Sequence, residues 1–204
     1  MTHQKLNNLL IAIIAFLTCL LIISTARADD FSWHVAGYAI FNGAPGAGYE
    51  PGVGGHAELY GRWKFLELKA DGTIKNQHKK HAQSGHTYGY GLEGRAYVYG
   101  PWYVLASSQW AGYKTVFSDG RVWEKNGRNT GVGGGFNNQD TDVNLAYYFQ
   151  EYESPNNIQF TALSLRQRIW KYLHGLLGVS YMTYDQGQER WDSLSITIGL
   201  GVKL

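Results

Sequence analysis

The amino-acid sequence predicts an all-β fold, an antiparallel up-and-down transmembrane β-barrel of about eight strands, with ten as the alternative. Three observations carry this. Apolar and polar residues alternate with period two along most of the chain. The 26 Gly, 15 Tyr and 7 Trp supply what strands and tight turns require. The links between alternating segments are tight at every second position, which is the rhythm of a hairpin series.

The chain opens on a segment that is not part of this pattern. Met1 to Ala28 carries Lys5, the apolar run LLIAIIAFLTCLLII and then Ala26-Arg27-Ala28. A basic start, an apolar stretch and small residues at a cleavage site mark 1–28 as a secretory signal peptide, expected to be cleaved after Ala28. Cys19 lies in that run and is expected to leave with it. An exported chain without disulfides must be held by a large core, by closure of a sheet or by a membrane. The 18 Lys and Arg less Lys5 and Arg27 equal the 16 Asp and Glu, so the exported chain is neutral with His uncharged. That balance argues against a nucleic-acid partner and against a charge-solvated disordered chain.

Residues 29–54 hold a strand-like WHVAGYAIF and a Gly-rich NGAPGAGYEPGVGG. Their role is left open between a further strand pair, a lumen or periplasmic segment, and a sign that a strand is merged or split elsewhere. The barrel is expected over 55–204, with strands near 55–69, 86–99, 101–117, 129–136, 142–152, 157–169 and 174–185 and a last strand ending at Leu204. In that last strand Leu194, Ile196, Ile198, Leu200, Val202 and Leu204 face one way, and Ser193, Ser195, Thr197, Gly199, Gly201 and Lys203 the other. Membrane barrels have short periplasmic turns and longer outer loops. With Leu204 on the periplasmic side, the tight links at 171–173, 137–141 and Gly100-Pro101 share that side. The two longest, 70–85 and 118–128, face out.

Alternation alone does not say which face is wet: a soluble barrel is apolar inside, and a membrane barrel inverts this. Inversion is favoured by the polar face. It is small and Gly-rich in several strands (Gly89 and Gly91, Gly178 and Ser180, Gly199 and Gly201) and elsewhere carries charges of both signs, Glu58, Arg62, Lys64, Glu93, Arg95, Arg166 and Arg168. Aromatics gather at tight links, Tyr99, Trp102 and Tyr103 at one and Trp170 and Tyr172 at another, as in the belt at a membrane boundary.

The final residues, Thr197-Ile198-Gly199-Leu200-Gly201-Val202-Lys203-Leu204, resemble the terminal β-signal of small bacterial outer-membrane barrel proteins. The match lies in polar Thr197, in Gly199 two places on, and in apolar Val202 and Leu204 at alternate positions. Leu204 stands where Phe or Trp is usual. The resemblance implies an outer-membrane location and recognition by the outer-membrane assembly machinery.

Candidate functional residues fall into three groups. In a barrel of about eight strands the lumen is just filled by side chains, so the charged set named above reads as an ion-pair network closing it; ten strands would leave room for a narrow pore. The loop KNQHKKHAQSGH brings Lys75, His78, Lys79, Lys80 and His81 to the outer side, and the other long loop adds Arg121, Trp123, Lys125 and Arg128. Such a basic and aromatic surface suits lipopolysaccharide phosphates, an anionic glycan or a surface partner. A lipid A or phospholipid-modifying enzyme is the alternative; it needs a hydroxyl, a base and an orienting acid, for which Ser84, His86 and Glu93 are the weak candidates. No cofactor is implied, and His78 and His81 lack the Cys or acid that a metal site requires.

Overall fold

The computed structural model describes residues 31–43, 50–77, 82–152, 157–185 and 190–204. The expected signal segment and His78, Lys79, Lys80 and His81 lie outside them. Ten strands run in chain order: β1 (Phe31–Gly43), β2 (Gly52–Trp63), β3 (Leu66–Asn76), β4 (Ala82–Tyr99), β5 (Trp102–Phe117), β6 (Val122–Asn137), β7 (Thr141–Tyr152), β8 (Asn157–Trp170), β9 (Leu173–Asp185) and β10 (Arg190–Lys203). Each pairs antiparallel with its sequence neighbours, and β1 pairs with β10 to close the barrel. At the seam Leu204 N–H donates to the Val35 carbonyl at 2.8 Å and Val35 N–H to the Leu204 carbonyl at 3.1 Å.

The expected eight strands become ten for two reasons. The segment left open at 29–54 contains β1, which pairs from Phe31 to Asn42 with β2. The expected strand 55–69 is a hairpin, in which β2 ends at Trp63 and β3 begins at Leu66. Its turn is made by Lys64 and Phe65, with Lys64 at φ 52°, a left-handed conformation in which Gly, Asn or Asp is the usual signal. Without such a residue the alternation runs straight through the reversal. The Asp71-Gly72 pair, expected to open a loop, sits inside β3 instead, where Asp71 faces inward and Gly72 pairs with Tyr90. Likewise the expected loop 118–128 shrinks to a turn, because β6 begins at Val122.

Glycine and tyrosine are partners across this sheet. Gly131 is opposite Tyr148, Gly135 opposite Tyr103 and Gly201 opposite Tyr38, so each inward ring lies over a neighbour without a side chain. A Cβ on Gly131 would stand 2.5 Å from Tyr148 Cδ1, and one on Gly135 would stand 2.6 Å from Tyr103 Oη. That pairing fills the lumen with rings without overcrowding it.

Candidate functional site: a closed ring of charge across the lumen

The inward rows of β2, β3, β4, β7 and β8 each deliver ionised side chains to one level. Arg166 pairs with Glu58 through Nη2 and, at 3.0 Å, through Nε. Arg166 Nη1 also lies 3.4 Å from Asp142 Oδ2, which in turn is 3.0 Å from Arg95 Nη1. Arg95 Nε donates to Glu93 at 2.6 Å, Lys69 Nζ sits 3.2 Å from the other oxygen of Glu93, and Lys69 lies 3.9 Å from Glu58. Glu58, Arg166, Asp142, Arg95, Glu93 and Lys69 thus form a closed circuit of alternating sign. Tyr60 Oη donates to Glu58 at 2.5 Å and Tyr103 Oη to Asp142 at 2.9 Å. Beside the circuit, Glu67 lies 3.1 Å from Arg95 and accepts from Tyr97 Oη at 3.1 Å. Arg95 is 1% exposed and Glu58 2%.

The end below, at which the chain's carboxyl terminus lies, is packed with rings. His34 stacks on Tyr60 at 4.7 Å, Tyr97 meets Tyr103 at 5.4 Å, and the Arg62 guanidinium lies 3.8 Å from the Tyr97 centroid. Lys203 closes the same end over Tyr60.

The outer wall is the reverse. Val35, Phe41, Leu59, Leu68, Leu92, Val104, Val132, Leu145, Leu163, Leu177, Ile198 and Leu200 all point away from the lumen and are exposed. Trp33, Phe65, Tyr99, Trp102, Trp170 and Tyr172 belt its lower edge, and Tyr90, Tyr147, Phe149 and Tyr181 its upper edge. From Trp102 to Trp110 the outward row of β5 covers about 27 Å along the strand, or roughly 20 Å along the axis at a tilt of about 40°. Buried charge inside and an apolar band with aromatic edges outside are stable only with lipid around the band.

The chain is a membrane-spanning β-barrel.

On the outer side of its circuit the barrel encloses a cavity of about 290 Å³, lined by Lys69, Glu93 and Arg166 from below and by Thr73, Ser180 and Ser195 among others. His56 lies on its wall. His56 Nε2 is 3.0 Å from Glu58 and His56 Nδ1 is 2.7 Å from Thr73 Oγ1. In the neutral imidazole the carboxylate holds the proton on Nε2, so Nδ1 accepts the Thr73 hydroxyl proton. A search restricted to Ser beside His passes over this trio. The cross-strand position of His56 and Thr73 shows only once β2 and β3 are separated.

The structure brings Glu58, Glu93, Arg95 and Arg166 together. Arg62 stands below them, Lys64 is in the β2–β3 turn, and Arg168 pairs with Asp140 at the lower rim. Lys69, Asp142, Glu67, Tyr60 and Tyr97 do not stand out in the sequence, where LELK carries its own alternation but the merged strand hides it; Tyr103, expected in the aromatic belt, instead points into the lumen because its strand parity is opposite to that of Trp102. Ser84 and His86 lie on the outward face of β4 and Glu93 on the inward face, so the barrel wall separates them. Of the basic and aromatic residues expected on loops, Arg121 is in the β5–β6 turn, bonded to Asp119 at 2.6 Å. Lys75 is on β3, and Trp123, Lys125 and Arg128 are on β6. In the β10 segment Thr197 Oγ1 accepts from Asn42 Nδ2 at 2.7 Å and Gly199 faces the lumen, while Val202 and Leu204 face lipid.

Comparison with protein-family models and with curated proteins gives no match. Among solved structures the barrel is similar to Neisserial surface protein A, at 13% identity and a TM-score of 0.46 over 85% of this chain and 97% of that one. It is similar also to the KdgM porin in complex with disordered oligogalacturonate, at 9% identity and a TM-score of 0.46 over 82% and 98%. The translocator domain of the autotransporter NalP from Neisseria meningitidis matches at 11% identity and a TM-score of 0.45, over 96% of each chain.

Proposed function

We propose that this outer-membrane barrel is a surface protein rather than an open porin: its lumen is shut, and its outer strands and loops contact lipopolysaccharide, a glycan or another surface. The observation that supports this is the charge circuit. It has as many acids as bases, it crosses the lumen from β2 to β8, and the tyrosines beneath it leave its members almost without solvent. A partnered network of this kind resists ion entry, because an ion would have to displace a buried pair. The purified barrel in planar bilayers is expected to give no sustained conductance steps at neutral pH. Frequent, long-lived steps would overturn the reading in favour of a narrow pore.

A second reading, a lipid-modifying enzyme, has one observation behind it. Thr73, His56 and Glu58 stand in the order hydroxyl, base and orienting acid on the wall of a cavity. It requires that lipid A or phospholipid mass spectra differ between cells with and without the gene, and that His56→Ala remove the difference. Identical spectra exclude it.

A further inference from the structure

The outward face of β4–β6 carries a second polar feature, separate from the lumen. At the upper edge of the apolar band Tyr90, Trp110 and Arg128 lie side by side in register on β4, β5 and β6. Tyr90 and Trp110 stack at 5.5 Å with planes 16° apart, and the Arg128 guanidinium lies 5.5 Å from the Trp110 ring. Arg128 Nε donates to Ser108 Oγ at 3.0 Å, a bond that holds the side chain by one nitrogen and does not use the other two. One row higher, Tyr88 Oη donates to Asn126 Oδ1 at 2.8 Å. One row higher again stand His86, Lys114 and Glu124, the last two 3.9 Å apart.

We propose that this wall is a seat for the phosphate of a phosphorylated glycolipid of the outer leaflet, lipid A, with Arg128 as the phosphate ligand and Trp110 and Tyr90 as the platform that holds it. The argument begins with position. The row lies immediately above the apolar band and faces sideways, so it is reached from the lipid headgroup layer and not from the lumen or the aqueous loops. Chemistry then selects the group. A guanidinium fixed through Nε and laid against an aromatic face keeps a pair of parallel N–H donors for a phosphate and loses little freedom on binding. Charge along the same face is mixed: above the row Lys114 lies 3.9 Å from Glu124, and Glu151 on β7 stands opposite Arg128 in register. Among the described residues no carboxylate forms an ion pair with Arg128, which leaves its guanidinium as the cation of the row.

The inference rests on the surface-protein reading for its orientation, but its test does not depend on a closed lumen. Full-length protein in detergent micelles is titrated with bisphosphorylated lipid A, and the bound complex is counted by native mass spectrometry. Arg128→Gln is expected to weaken retention at least tenfold and Arg128→Lys to weaken it less. Lys171→Gln, which removes the same charge in the periplasmic β8–β9 turn, leaves retention as in the unaltered protein. Dephosphorylated lipid A is expected to be lost from the unaltered protein. Equal retention by Arg128→Gln and the unaltered protein would overturn the proposal, as would equal losses in Arg128→Gln and Lys171→Gln, or equal retention of the dephosphorylated lipid. Should Arg128→Gln fail to fold, the phosphate comparison on the unaltered protein and the Arg128→Lys titration decide the question. Conductance steps together with phosphate-dependent retention would sink the closed-lumen reading and leave the seat intact.

Discussion

Arg166 answers to two acids at once, Glu58 on β2 and Asp142 on β7, and both are nearly out of reach of water. Replacing it by Met removes the cation and leaves two buried carboxylates facing the gap. Breaking one side of such a pair costs about 3–5 kcal/mol, whereas replacing both sides by apolar groups can be close to neutral. Arg166→Met is therefore expected to lower the denaturant midpoint of the refolded barrel strongly. Glu58→Gln combined with Arg166→Met should cost clearly less than the two single changes added together. Additive losses, read from Trp fluorescence during urea unfolding in lipid vesicles, would show that the circuit is not coupled. The tyrosines have a similar role at single-residue scale: Tyr60 gives Glu58 and Tyr103 gives Asp142 one more donor, so neither of these acids depends on its cations alone.

Among the elements, β6 and β7 show best how sequence composition becomes packing. The stretch GVGGGF reads as a flexible run, yet Gly131 and Gly135 are the positions over which Tyr148 and Tyr103 fold inward. A side chain at 131 would meet Tyr148 at 2.5 Å and Ser107 Oγ at 2.9 Å. Gly131→Val should cost about 1–3 kcal/mol by overpacking. Much of the loss should return in a Tyr148→Ala background, where the ring is absent; an unchanged penalty there would place the cause in the strand backbone instead. Strands β4, β5 and β6 are the longest of the ten, at 18, 16 and 16 residues. They continue above the apolar band and carry the Arg128 row, so residues expected on loops present themselves from a rigid wall.

At the scale of the whole molecule, closure is what holds a chain of this length without a disulfide. Every strand has two neighbours, including β1 and β10 through the seam, so no edge is left for lipid to meet. The closed sheet must open as one unit, because a single open edge in lipid leaves a row of unpaired backbone groups. The unheated protein is accordingly expected to run on detergent gels as a compact species distinct from the boiled one, and membrane fractionation should recover it with the envelope. A single mobility in both states, or recovery in the soluble periplasm, would contradict a lipid-held barrel.

The sequence by itself determined the class of fold. Period two, Gly and aromatic supply, charges of both signs on one face and links that are tight at every second position are local properties, legible one segment at a time. It determined part of the site for the same reason: Glu58, Glu93, Arg95 and Arg166 sit on the polar face of their strands in any register. Only the tertiary structure decided the strand count, since Lys64 turns the chain in a left-handed conformation that Gly or Asn would have announced and Lys does not. It also decided the partners. Arg166 meets Glu58 across 108 positions of sequence, through a lumen whose width depends on how many strands close it. Ser84 and His86 parted from Glu93 because one step along a strand reverses the face. Which side of the wall a residue meets is thus local, and what it meets there is set by closure.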